Sequence, residues 1–189
     1  MNTKMLILLS GTLAIVACGP KTETANNDSG ATVENGPVLP ANDVTAAAPN
    51  SAQGFANAAA ASDRFEIESS KLAASAATSA AVKAFAAKMV TAHTASSAKL
   101  KSTAAGLSPA ITPDDTLAPD QQAKLDSLKG LKGADFDSAY AAAQVEAHQK
   151  ALDALNGYAA SGDEPKLKEL ASGMVPTVTA HLNMAKGLK

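Results

Sequence analysis

Alanine-rich segments with helical spacing dominate the chain from Phe55 onward. Apolar residues recur there at alternating steps of three and four, which is the spacing of one face of an α-helix. Alanine has the highest intrinsic helix propensity, and no segment shows the alternating pattern of a β-strand. The pattern predicts an all-α fold with closely spaced helices and a thin core, in which a few phenylalanine and tyrosine side chains supply most of the bulk.

Capping residues and prolines divide this region into four long helices and one short helix. The predicted long helices run from Phe55 to Ala76, from about Thr78 or Ser79 to Gly106, from Asp135 as the cap to near Gly162, and from Pro165 to Leu188; the short helix runs from Pro119 to about Leu131. We expect Pro176 to kink the last helix, because proline removes one backbone hydrogen bond. Two tight hairpins and a long crossover carrying the short helix predict a ferritin-like four-helix bundle.

The amino-terminal residues predict export and a lipid anchor. Lys4 precedes a short apolar run, Met5 to Val16, whereas a membrane-spanning helix needs about 20 apolar residues, so residues 1–17 are typical of a secretory signal peptide. The sequence Ile15-Val16-Ala17-Cys18 resembles the bacterial lipobox, which implies that Cys18 is lipidated and begins the mature protein. Gly19 replaces the aspartate that resembles an inner-membrane retention signal, and this favours the periplasmic face of the outer membrane.

Charge and composition separate a tether from a folded domain. Residues 18–54 carry one lysine against four acidic residues, contain four prolines and show no apolar periodicity, which predicts a disordered tether. Residues 55–189 balance fourteen basic against fourteen acidic side chains and contain no tryptophan, which gives no electrostatic or stacking basis for binding nucleic acid. The expected partner is therefore the membrane, reached through the lipid anchor.

The three histidines share one local sequence on three different predicted helices. Each stands at the end of a Val-x-Ala-His motif, at His93, His148 and His181. Valine and histidine three residues apart share a helix face, so the pattern predicts three imidazoles in the bundle interior. Glu66, with Glu68 as a second candidate, supplies the carboxylate expected to point inward beside them, and Gln144 and Tyr140 share the apolar stripe of His148.

Several blocks of sequence in a fixed order carry a resemblance to a known family. They are 61–73, 82–94, 136–140, 144–148 and 175–182. Together they resemble the bacterial "domain of unknown function 4142" family, ferritin-like domains often labelled predicted outer-membrane proteins. The resemblance covers about residues 55–188 and implies a ferritin-like fold, but it implies no activity. Ala92 departs from the family pattern, which usually places an acidic residue before this histidine.

The residues around the histidines favour a mononuclear metal site over a di-iron site. Di-iron bundles use Glu-x-x-His motifs, whereas valine occupies the position three residues before each histidine, which argues against a di-iron oxidase or ferroxidase. Three histidines with Glu66 or water suit a single copper or zinc ion. Counting from the hairpins places Glu66 and His93 about 4–5 Å apart in height, and His148 and His181 about 7–8 Å apart before the Pro176 kink is taken into account. Met89 and Met184, one turn away, would suit Cu(I).

The metal site is the alternative to a simpler interpretation, in which the histidines have a packing role. In that interpretation the rings hydrogen-bond to one another, to Glu66, Gln144 or Tyr140, or to a backbone carbonyl exposed by Pro176. The protein would then be a non-catalytic binding or envelope-stress component. Proton-transfer chemistry in an oxidoreductase is a more distant alternative, and no nucleophile motif supports a hydrolase. No residue is predicted to be catalytic.

Overall fold

The computed structural model describes residues 50–188, which form five α-helices and their connections. The helices are α1 (Ala52–Ala76), α2 (Ala80–Ala105), α3 (Pro119–Lys129), α4 (Gly133–Ser161) and α5 (Pro165–Lys186). No strand occurs within this range, so the all-α prediction is confirmed. None of these described helices combines the length and apolar character needed to cross a bilayer. Cys18, the predicted signal peptide and residues 18–49 of the predicted tether lie outside the described residues.

The four long helices form a bundle of ferritin-like connectivity. α1 and α5 each pack against both α2 and α4, which places the helices in the cyclic order α1, α2, α5, α4. Short loops join α1 to α2 and α4 to α5, whereas residues 106–132 form the long crossover. α3 lies in this crossover and packs on α1 and α4. This arrangement confirms the predicted bundle and its crossover helix.

Local capping rules account for most helix ends. Ser79 caps α2 by accepting a hydrogen bond from the Val82 backbone N–H at 3.4 Å, and Pro165 begins α5 as predicted. The prediction that Asp135 caps α4 was wrong, because α4 begins at Gly133, whose φ of 65° suits glycine. Asp135 lies in the first turn instead, where a carboxylate stabilises the positive end of the helix dipole.

Pro176 lies inside α5, which continues through it to Lys186. Both Pro176 and Ser172, whose carbonyl loses its backbone donor to proline, are exposed. The unpaired carbonyl is therefore on the side of the helix that water reaches. The kink itself stays a prediction.

The bundle interior contains two apolar clusters separated by a polar layer. The first cluster includes Phe85, Phe136 and Tyr140, and the second includes Phe55 and Tyr158, whose rings stack with centroids 4.0 Å apart. Between the clusters lie buried polar side chains from α1, α2, α4 and α5: Asp63, Glu66, Ser69, Ser70, His93, Gln144, His148 and His181. Buried polar groups destabilise a fold unless they have hydrogen-bond or ionic partners. Apolar packing therefore does not explain why these polar residues are buried here.

Candidate metal centre

Three histidines from three helices meet in the polar layer. His93 on α2, His148 on α4 and His181 on α5 are only 7%, 1% and 6% exposed. Their ring centroids are 5.6 Å apart for His93–His148, 5.7 Å for His93–His181 and 5.6 Å for His148–His181. One ring nitrogen of each lies within 4.8 Å of those of the other two. We call this group the histidine cluster.

The rings of His148 and His181 lie closer together than the predicted height difference of about 7–8 Å between the two residues, with centroids 5.6 Å apart. That count assigned a helical rise to the loop at residues 162–164. The loop is not helical: Gly162 has φ −60° and ψ 154°, and Glu164 has φ −114° and ψ 114°. Counted in helical residues alone, His148 lies 13 residues before the end of α4 and His181 lies 16 after the start of α5, which reduces the mismatch to about 4–5 Å. The two side chains span what remains, since their ring centroids are 5.6 Å apart.

Hydrogen-bond acceptors beside Nδ1 fix the tautomers of His93 and His148. His93 Nδ1 lies 2.8 Å from Asp63 Oδ1, and His148 Nδ1 lies 2.8 Å from the backbone oxygen of Gln144. A carbonyl oxygen and an ionised carboxylate only accept hydrogen bonds, so the proton of each neutral ring is on Nδ1. Nε2 then carries a lone pair. This is how a second partner orients a metal-binding histidine.

The remaining nitrogens of the histidine cluster have no partner among the described residues. His93 Nε2, His148 Nε2 and His181 Nδ1 are each inaccessible to solvent and accept or donate no hydrogen bond. A zinc ion takes imidazole nitrogens at about 2.0–2.1 Å in a tetrahedral shell, which puts them about 3.4 Å from one another. Nitrogens within 4.8 Å of one another approach that spacing when each moves inward by less than about 1 Å.

The electrostatics of the cluster favour neutral imidazoles at two positions. Burial lowers the pKa of His148 to about 4, and burial also lowers the pKa of His181 to about 4. Burial acts in the same direction on His93, but its hydrogen bond to Asp63 and the charges of Glu66 and Asp63 outweigh it and raise its pKa above the ordinary value. Neutral imidazole is the form that binds metal ions.

Glu66 lies beside the histidine cluster. It is 1% exposed, and its Oε1 is 3.6 Å from His148 Nδ1, the nitrogen that is hydrogen-bonded to the backbone oxygen of Gln144. Neither carboxylate oxygen has a hydrogen-bond partner within residues 50–188. Burial raises the pKa of Glu66 to about 7. Its role as a fourth ligand stays a prediction.

Asp63 is the residue at this site that the sequence reasoning missed. It is 4% exposed, so Glu66 is not the only inward carboxylate. Besides His93, it accepts a hydrogen bond from Ser97 Oγ at 3.2 Å. The available signal was its spacing: Asp63 and Glu66 are three residues apart and therefore share a face of α1.

The other predicted polar neighbours do not bond to the histidines through their side chains. Tyr140 pairs with Ser70 Oγ at 2.7 Å, and Gln144 Nε2 donates to Ser69 Oγ at 3.2 Å. Met89 is fully buried in the first apolar cluster, and Met184 Sδ lies 3.6 Å from Lys88 Nζ. Within residues 50–188, each ring of the histidine cluster therefore keeps one buried nitrogen that has no hydrogen-bond partner.

The fold and the site define an all-helical bundle protein with a buried cluster of three histidines. The chain belongs to the family described as "Domain of unknown function (DUF4142)", whose family model matches residues 38–188. The described fold is also similar to the solved structure "CopM in the Cu(II)-bound form", with a TM-score of 0.61 and 15% identity over 72% of this chain and 94% of that chain. At that identity the similarity shows the fold alone. No curated protein matches the chain.

Proposed function

We propose that this protein binds one copper or zinc ion through His93, His148 and His181. The observation that supports this function is the set of three buried, unpartnered ring nitrogens, one from each histidine. A buried nitrogen without a partner costs about 1–3 kcal/mol. The three unpartnered nitrogens lie close together, so a single cation that accepts all three lone pairs offsets the cost of burying each of them.

The ligand chemistry favours copper or zinc. Imidazole suits both ions, whereas magnesium and calcium take oxygen ligands. The structural similarity to CopM, which was solved with Cu(II) bound, favours copper over zinc. Two carboxylates, Asp63 and Glu66, lie next to the cluster. With both ionised, they balance the charge of a divalent ion bound by three neutral rings, and charge balance is what a buried ion requires.

Residues outside the ligand set would hold the rings in place. Asp63 and the Gln144 carbonyl orient His93 and His148 through their Nδ1 atoms, and the edge of Phe85 packs near His148 with ring centroids 6.3 Å apart. Each of these contacts orients a ring or packs against one. We therefore infer metal binding, in buffering or delivery, in place of catalysis.

The location of this function is part of the same proposal. A lipidated Cys18 would anchor the protein to the periplasmic face of the outer membrane, with the residues up to the bundle as a tether. Export would expose the domain to the metal ions of the periplasm. Labelling of Cys18 with a radioactive fatty acid, lost in Cys18→Ser, tests the anchor separately from the metal site.

Metal titration of the mature protein, purified without a histidine tag, tests the binding site. We expect the wild type to take one equivalent of copper or zinc from a competing chromophoric chelator, and His148→Gln to take none at the same chelator concentration. Gln149→Ala changes an exposed neighbour on the same helix and serves as the matched control. Equal uptake by His148→Gln, or no uptake by the wild type, would refute the proposal and leave packing as the role of the rings.

A further inference from the structure

A cavity of about 210 Å³ runs between α1 and α4 beneath α3. Asp120, Gln121 and Lys124 of α3 form part of its rim, and His93 and Asp63 belong to its wall. His148 and His181 do not line it. The cavity thus lies beside the histidine cluster. Of the three histidines, only His93 contributes to its wall.

Small side chains create this space. Ala143, Ala147, Ala151 and Ala154 line it from α4, at the three- and four-residue steps that keep them on one helix face. Phe55 and Phe65 supply aromatic surface from α1. The wall is therefore mostly apolar and includes two aromatic rings, and Ser62, Asp63 and His93 are its polar members away from the rim.

The rim carries charges that neutralise one another. Lys124 lies 2.9 Å from Glu146, and Lys150 lies 3.0 Å from both Glu146 and Asp120. Two lysines thus face two carboxylates, and the rim has no net charge to attract an ion. An isolated charge inside an apolar cavity is strongly disfavoured. These features select a neutral molecule.

Asp63 gives the cavity a carboxylate, and Ser62, which carries a hydroxyl, also lines it. The Asp63 carboxylate accepts from His93 Nδ1 and from Ser97 Oγ, and an ionised carboxylate has about four acceptor positions. It can therefore accept one more hydrogen bond from a molecule in the cavity. A ligand matched to this site carries a hydroxyl or amide donor at one end of an apolar body.

We propose that this cavity binds a small neutral aromatic alcohol, of the size and chemistry of a phenol. An apolar protein cavity of about 150 Å³ is enough to hold benzene, so about 210 Å³ accommodates a benzene ring with one or two further heavy atoms. The ring contacts Phe55, Phe65 and the alanines of α4, and the hydroxyl donates to Asp63. The proposal does not depend on a bound metal ion.

Calorimetric titration of the metal-free mature protein with phenol tests the site. Ala151→Leu and Ala147→Leu fill the cavity from α4, and overpacking of this kind should weaken phenol binding by about tenfold or more. Ala142→Leu adds the same side chain at an exposed position of α4 outside the cavity and is expected to bind phenol like the wild type. Circular dichroism confirms that each variant is folded, and having two filling positions keeps the test valid if one variant does not fold.

Two further comparisons complete the test. Toluene, which has the ring but no donor, should bind more weakly than phenol. His181→Gln should lose metal and keep phenol, because His181 does not line the cavity; this separates the two proposals. The inference is overturned if wild-type protein does not bind phenol, if both filling variants bind it like Ala142→Leu, or if toluene binds as tightly as phenol.

Discussion

Replacing His181 by leucine should stabilise the metal-free protein. His181 is 6% exposed, and its Nδ1 has no hydrogen-bond partner among the described residues. Leucine has a similar volume and no polar atoms, so the variant removes an unsatisfied buried group whose cost is about 1–3 kcal/mol. We therefore expect the free energy of unfolding to rise by about 1–2 kcal/mol.

His93→Leu is the matched comparison and should have the opposite effect. It leaves the buried carboxylate of Asp63 with Ser97 Oγ, at 3.2 Å, as its remaining side-chain partner. Breaking a buried pair in this way costs about 3–5 kcal/mol. The two histidines belong to the same cluster, so opposite signs cannot come from a general effect of changing histidine to leucine.

Urea unfolding in the presence of a chelator measures both effects. With a slope of about 2 kcal/mol per molar urea, His181→Leu should raise the unfolding midpoint by about 0.5–1 M and His93→Leu should lower it by more. Metal at about 100 times its Kd adds about 2.7 kcal/mol to the wild type and nothing to either variant, so the order of wild type and His181→Leu should reverse. A metal-free His181→Leu that is less stable than the wild type by over about 1 kcal/mol would refute the reasoning.

Three further predictions follow from the contacts around the cluster. Asp63→Ala should weaken metal affinity by about 10–100-fold, since it removes the group that orients His93. Asp63→Asn keeps an acceptor oxygen and should weaken metal affinity less. Competition with a chelator measures the affinity of both variants. Burial lowers the pKa of His181 to about 4, so below pH 6.5 the unfolded ring takes up a proton that the folded ring does not. The stability advantage of metal-free His181→Leu over the wild type should therefore grow as pH falls from 6.5 towards 4, and an advantage that stays constant between pH 7 and pH 5 in urea unfolding would contradict this pKa. Tyr140→Phe removes the hydrogen bond to Ser70 Oγ and should cost about 1 kcal/mol in urea unfolding without changing metal uptake; a loss of metal would show that Tyr140 acts at the cluster.

Local rules explain why most of the fold could be predicted from sequence. Ser79 and Pro165 mark helix starts through their own backbone and side-chain chemistry, which does not depend on the rest of the chain. The Val-x-Ala-His repeat likewise placed each histidine on a buried face. Asp135 was misplaced because a glycine with positive φ, Gly133, allowed α4 to begin earlier.

The site was only partly predictable because it depends on relations between helices. Asp63 lies within five residues of Arg64, Glu66 and Glu68, and periodicity does not tell a buried acid from a solvated one when α1 packs on both α2 and α4. The structure separates them: Glu68 pairs with Arg64 at 2.8 Å near the surface, whereas Asp63 reaches His93. Similarly, the alanines of α4 predicted close helix packing, and the structure shows that part of that row lines a cavity.

X-ray absorption at the metal edge of the loaded, untagged protein tests the metal site most directly. The spectrum should show three histidine imidazoles around one ion, at about 2.0–2.1 Å for zinc, and His181→Leu should lose the bound ion. A shell made of oxygen or sulfur atoms, or a three-imidazole spectrum that persists in His181→Leu, would contradict metal binding by His93, His148 and His181.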